Sequence, residues 1–150
     1  MPIEVYTPEY FMKEALKQAQ IAFESGEIPV GAVVVCNNRI ISRAHNQVEL
    51  LNDPTAHAEI LAITAACEHM GAKYLEDCIL YVTLEPCAMC AGATYWSMLG
   101  EVVYGASDEK RGFTRHGTRI LHPRCKVSKG LFASESKDLL QQFFKNLRDT

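Results

Sequence analysis

The stretch TLEPCAMCAGATYW, residues 83–96, sets Cys87 and Cys90 three apart, just behind Pro86, at the seam between a strand and a helix. Three residues is close to one helical turn, so the two sulfurs fall on one face. The positive end of the helix dipole and its unpaired N–H groups favour thiolate there. Alone, such a pair serves equally well as half of a tetrahedral metal site, as a redox dithiol or as two small core residues. A distant histidine separates these readings.

His57 stands in TAHAE, residues 55–59, near the start of another predicted helix and two residues before Glu59. One neutral imidazole and two thiolates form a three-ligand set that leaves zinc one position for water, the arrangement of a catalytic site. H-x-E followed by P-C-x-x-C is the signature of zinc-dependent base deaminases, and His57, Glu59, Pro86, Cys87 and Cys90 match all five positions. Zinc lowers the pKa of bound water from about 15.7 towards 7. Glu59 can then take the proton, pass it to a ring nitrogen and assist the departure of ammonia. Two residues turn about 200° around a helix, so spacing alone does not bring His57 and Glu59 to one face. A closed structural zinc site needs a fourth ligand; Cys67, Cys78, Cys125, His45 and His122 qualify by type, but none sits at a recognisable ligand spacing.

The rest of the pattern frames these residues. Thr7, Pro8 and Glu9 predict a helix start, and apolar residues at Phe11, Ala15, Ala19 and Ala22 give it one buried face up to Gly26. IPVGAVVVC and RIISRAHN, joined at Asn37 and Asn38, predict a hairpin whose first strand is internal to a sheet. A second helix is expected from about residues 53–55 to Gly71, and a third from Pro86 to about Leu99. CILYVTL, EVVYGA and KVSKGL predict three more strands, and a last helix from about Ser134 carries Leu139, Leu140, Phe143, Phe144 and Leu147 on one face. This order predicts one α/β domain over residues 1–150, with helices on both sides of the sheet.

A chain of 150 residues with 48% apolar and 22% charged side chains can bury about 70% of its unfolded surface in one core. No apolar run approaches the roughly 18 residues of a membrane span, and no signal-peptide pattern opens the chain. A cytoplasmic protein without a membrane partner is expected, with cysteines used as thiols or metal ligands. The net charge of −3 conceals an asymmetry: seven basic residues (Lys110, Arg111, Arg115, Arg119, Arg124, Lys126 and Lys129) occur between residues 110 and 129 with no acid among them. Such an island serves as a solvated loop or as a track for phosphates.

Across nearly its whole length the chain resembles the bacterial tRNA-specific adenosine deaminases of the cytidine-deaminase-like superfamily. EIPVGAVVV, NDPTAHAEI, LYVTLEPCAMCAGA, VVYGASDEK and GLFASESKDLLQQFFKNLR carry the resemblance, in that order. It implies a three-layer α/β/α fold with a mixed five-stranded sheet, one zinc ion per subunit, a homodimer, and conversion of the wobble adenosine of a tRNA anticodon to inosine. By resemblance, His57, Cys87 and Cys90 hold the metal and Glu59 shuttles the proton. Asn46 holds the base, Asp108 and Lys110 lie near the RNA, and Arg148 meets it from the last helix. Tyr95-Trp96 departs from the family's usual residues and is similar to guanine deaminases, and the segment between Gly112 and Val127 is shorter than usual. A free-base deaminase, such as one acting on guanine, is the first alternative. A non-catalytic RNA-binding subunit with structural zinc is the second, disfavoured by the intact His57-x-Glu59.

Overall fold

The computed structural model describes residues 6–117 and 120–149. Helix α1 (Pro8–Glu24) starts where the sequence places it, with the Thr7 hydroxyl accepting from the Tyr10 N–H at 3.2 Å. Strands β1 (Gly31–Cys36) and β2 (Arg39–His45) form the expected hairpin, turning through Asn37 and Asn38, both at positive φ. A four-residue helix, α2 (Val48–Leu51), follows, and then α3 (Ala58–Met70). Strand β3 (Cys78–Leu84), helix α4 (Ala88–Trp96) and strand β4 (Glu101–Ala106) come next. A 3₁₀ turn (Phe113–His116), strand β5 (Lys126–Lys129) and helix α5 (Ala133–Arg148) follow.

The sheet order is β2-β1-β3-β4-β5. β1 is antiparallel to both neighbours, while β3, β4 and β5 run parallel. Every residue of β1 is buried, because the strand lies inside the sheet with both faces covered. On one face Val33, Val35, Tyr81 and Val103 pack against Phe11, Met12 and Ala15 of α1, with α5 beside it. On the other, Ala32, Val34, Leu80, Val82 and Val102 meet Ala58, Ala62, Ile63 and Ala66 of α3 and Ala91 of α4. The result is the expected mixed five-stranded sheet between two helical layers. Among the described residues no helix is long and apolar enough to cross a membrane.

Two helix starts differ from the sequence reading. Residues 53–55 do not open α3: the Asp53 carboxylate accepts from the Thr55 N–H and hydroxyl, both at 2.8 Å, and so closes a turn of its own. Likewise α4 begins at Ala88 rather than Pro86. These shifts of a few residues make His57 and Cys87 the residues that immediately precede their helices.

Gly31 lets α1 approach β1. A Cβ there would lie 2.1 Å from the Ala15 carbonyl oxygen and 2.4 Å from the Ala19 nitrogen, both rigid backbone atoms. Gly31→Ala is therefore expected to cost about 1–3 kcal/mol. Urea denaturation should show a lower midpoint with an unchanged slope.

Candidate metal centre

His57 and Cys87 occupy equivalent positions at the N-caps of α3 and α4, both with extended backbone (φ −76°, ψ 151° and φ −73°, ψ 174°), and neither side chain caps its own helix. Freed from capping, the imidazole and the thiol turn towards each other across the gap between the two helix ends. Cys90 lies one turn into α4 and is fully buried. His57 Nδ1 is 3.7 Å from Cys87 Sγ and 3.6 Å from Cys90 Sγ, and the three ligand atoms all lie within 4.8 Å of one another. Neither cysteine is in a disulfide. The cap position also answers the spacing problem of His57 and Glu59: a cap residue lies outside the helical φ/ψ region, so a 200° offset does not apply between them.

The donor set fits zinc. Bond lengths of about 2.3 Å to sulfur and about 2.0 Å to nitrogen, at the tetrahedral angle, separate N from S by about 3.5 Å. That matches the two observed separations. Electrostatics agree. Hydrogen bonding from the Cys90 thiol, followed by that with His57, pulls Cys87 down to about 4 against the effect of burial. Cys90 in turn is pushed far upward by the hydrogen bond it gives to Cys87 and by burial. The neighbouring Cys87 raises His57. Burial pushes the Glu59 carboxyl up to about 7, opposed by its own backbone N–H. Two thiols and a carboxyl crowded around one imidazole cannot all ionise by themselves, and a divalent cation removes that conflict.

The other predicted residues are distributed unevenly. Asn46 is buried, its Nδ2 donating to the Ile28 carbonyl at 3.0 Å and its Oδ1 accepting from the Ala58 N–H at 2.8 Å. It thus ties β2 to the first residue of α3, next to His57. Asp108 follows β4 at the same end of the sheet, and its Oδ1 accepts from the Lys110 and Arg111 N–H groups, each at 3.1 Å. The side chain of Lys110 is exposed. Arg148 is exposed in the last turn of α5, on the sheet face opposite α3 and α4, and the structure does not bring it to the His57 cluster. The basic island is divided in space. Lys110, Arg111 and Arg115 lie beyond the carboxyl end of β4, whereas Arg124 and Lys126 line a cavity at its amino end with Glu76, Asp77 and Glu101. A six-residue strand, roughly 17 Å, separates the two groups. Arg119 is outside the described residues. Trp96 is 78% exposed and meets Tyr95 edge-on. Both sit at the end of α4 remote from Cys87, so neither is a core residue nor lines the cluster.

Two buried acids escape the sequence reading. Glu27 accepts from the Glu49 and Leu50 N–H groups at 3.0 and 2.9 Å, holding α2. Glu85 accepts from the Asp108 N–H and from the Thr114 N–H and hydroxyl, at 3.0, 3.0 and 2.8 Å. One signal was available, since Glu85 is the only charged residue between Asp77 and Glu101.

Comparison with known proteins agrees with this geometry. The family model of the cytidine and deoxycytidylate deaminase zinc-binding region matches residues 5–106. The tRNA-specific adenosine deaminase of Aquifex aeolicus is 49% identical over 146 residues, covering 94% of this chain and 96% of that protein. A solved structure from work on A-to-I editing by tRNA:A34 deaminases at the wobble position superposes with a TM-score of 0.82 at 42% identity, covering 87% of this chain and 99% of its own. The guanine deaminase of Bacillus subtilis superposes with a TM-score of 0.65 at 47% identity, over 67% of this chain and 65% of its own.

The depressed Cys87 thiol gives a direct test. In metal-free protein at pH 6, well above about 4, Cys87 is thiolate while Cys90 remains protonated. Mass spectrometry after brief iodoacetamide treatment at that pH should find Cys87 alkylated ahead of every other cysteine, with zinc protecting it. Equal labelling of Cys87 and Cys90 would contradict the assignment.

Proposed function

The chain belongs to the cytidine and deoxycytidylate deaminase family and, within it, to the tRNA-specific adenosine deaminases, and on that premise we propose that it hydrolyses the wobble adenosine of a tRNA anticodon to inosine and ammonia. The observation that carries its chemistry is the buried carboxyl of Glu59 beside a cluster in which, among the described residues, three metal-ligand side chains meet. A zinc site built solely for structure would close its fourth position with protein and have no use for such an acid.

His57, Cys87 and Cys90 would hold one zinc ion per chain. Bound there, zinc supplies a water acidic enough to act as nucleophile near neutral pH. Glu59, buried beside these ligands, is placed to accept and release a proton. It takes one proton from the attacking water and delivers it to the ring nitrogen beside the reacting C6, then takes the remaining hydroxyl proton and passes it to the departing amine, which leaves as ammonia while the C6 carbonyl forms. Asn46 retains one N–H and one acceptor lone pair beyond those committed to Ile28 and Ala58, enough to meet an edge of the base.

The target base must leave its stack to reach these groups, and the flanking nucleotides then need partners. Asp108 keeps one carboxylate oxygen for a ribose hydroxyl, and Lys110 offers its exposed ammonium to phosphate. Arg148 reaches RNA from the end of α5. Met89 and Trp96, seven residues apart, share an exposed side of α4, which suits a homodimer interface. The chain acts as one deaminase domain in the cytoplasm, where tRNA is available.

Two measurements test the reading. Purified protein incubated with an anticodon stem-loop carrying wobble adenosine should yield inosine in that RNA and leave guanine, adenine, cytosine and their nucleosides unchanged. Turnover of guanine with an untouched stem-loop would overturn it. Glu59→Gln should retain zinc while kcat falls by about 10²–10⁴. Unchanged kcat would remove Glu59 from the reaction.

A further inference from the structure

We infer that Glu85 is a positioning residue: its buried carboxylate fixes the 108–114 loop against the segment leading into Cys87, and so sets the affinity for substrate RNA. The inference rests on the deaminase reading above, in which Asp108 and Lys110 meet that RNA.

Glu85 is 4% exposed, and among the described residues no ion pair reaches it. A buried carboxylate is tolerated only where donors replace its water, and here every donor comes from one loop. Oε1 accepts from the Asp108 N–H, at the start of the loop, and Oε2 accepts from the N–H and hydroxyl of Thr114, at its end. A single side chain therefore closes both ends. Gly112 makes this possible, since a Cβ there would lie 2.1 Å from Oε2. The neighbouring backbone repeats the attachment: the Phe113 N–H donates to the Pro86 carbonyl at 2.9 Å, and Gly112 bridges Cys87.

Inside the loop, hydrogen bonds fix shape but not place. Asp108 accepts from Lys110 and Arg111 through its side chain and from the Gly112 N–H through its carbonyl at 2.8 Å, and the Arg115 guanidinium donates to the Lys110 carbonyl. These contacts would survive if the loop swung as a unit. The ties to residues 85–87, together with Phe113 buried in the core against Tyr104 and the end of β4 at Ala106, locate Asp108 and Lys110 relative to the metal ligands. Of those ties, the Glu85 carboxylate supplies three charge-assisted bonds, the stronger kind.

Glu85→Gln tests this with nearly the same shape. One of its two terminal atoms becomes an NH₂ that faces an N–H or O–H donor, so one end of the loop is released. Zinc-loaded wild type, Glu85→Gln and the milder Thr114→Val are compared by zinc content, amide hydrogen exchange, and kcat and KM on the wobble-adenosine stem-loop. Zinc content should hold, amides 108 and 114 should exchange about tenfold faster, and KM should rise about tenfold with kcat within about twofold. A purely structural role would lower the active fraction and leave KM alone. If Glu85→Gln does not fold, Thr114→Val should raise KM about threefold on the loss of one donor. Unchanged exchange at 108 and 114, or faster exchange with unchanged KM, overturns the inference. A wild type that does not act on the stem-loop overturns the functional reading and the affinity claim together. An active wild type beside a variant of unaltered KM overturns this inference alone.

Discussion

The structure depends on two helices starting at the same place. The N-termini of α3 and α4 meet beside the carboxyl end of β3, with His57 and Cys87 as their caps. Two positive dipole ends in close approach repel unless anionic groups lie between them. Cysteine thiolates meet that requirement, and the thiolates in turn need a cation once there are two of them. Helix placement, ligand choice and metal demand are thus one constraint. The parallel strands β3, β4 and β5 reinforce it by delivering their following loops to the same end of the sheet, where open α/β sheets hold their ligands.

Three buried glutamates surround this centre, and their environments assign them different work. Glu27 and Glu85 receive backbone N–H groups from a neighbouring segment and hold that segment in place. Glu59 has its own N–H and the Cys90 thiol, and burial raises its carboxyl above the usual carboxylate range. A carboxylate saturated by fixed donors serves as an anchor, whereas one left in apolar surroundings beside thiols can exchange protons. Asn46 mediates between the two kinds, buttressing the start of α3 while keeping hydrogen-bonding capacity in reserve.

Much of this is legible in the sequence, because the decisive features are local. The unbroken apolar run of β1, the Asn37-Asn38 turn and the apolar face of α1 report their elements directly. His57, Glu59, Cys87 and Cys90 are marked by their spacing, although the geometry that unites them is not. That geometry depends on where the helices begin, and Asp53 mimics a helix cap while closing a turn. The isolation of Glu85 among apolar residues is visible in the sequence, but the partners of Glu85 and Glu27 are not: apart from the Thr114 hydroxyl they are N–H groups of residues 22 to 29 positions away, and backbone donors carry no side-chain signature. The basic island shows the converse failure. Charges adjacent in the chain are carried to opposite ends of β4, so the run from Lys110 to Lys129 is not one surface. Trp96, apolar by type, is left on the outside because α4 buries Cys90, Ala91 and Thr94 instead.

X-ray absorption fine structure at the zinc K-edge tests the central claim most directly, because it reads the atoms that touch the ion. For the zinc-loaded protein, two sulfurs at about 2.3 Å, one imidazole nitrogen at about 2.0 Å and one further light-atom ligand are predicted. A shell of three or four sulfurs, or zinc without sulfur neighbours, would contradict the account.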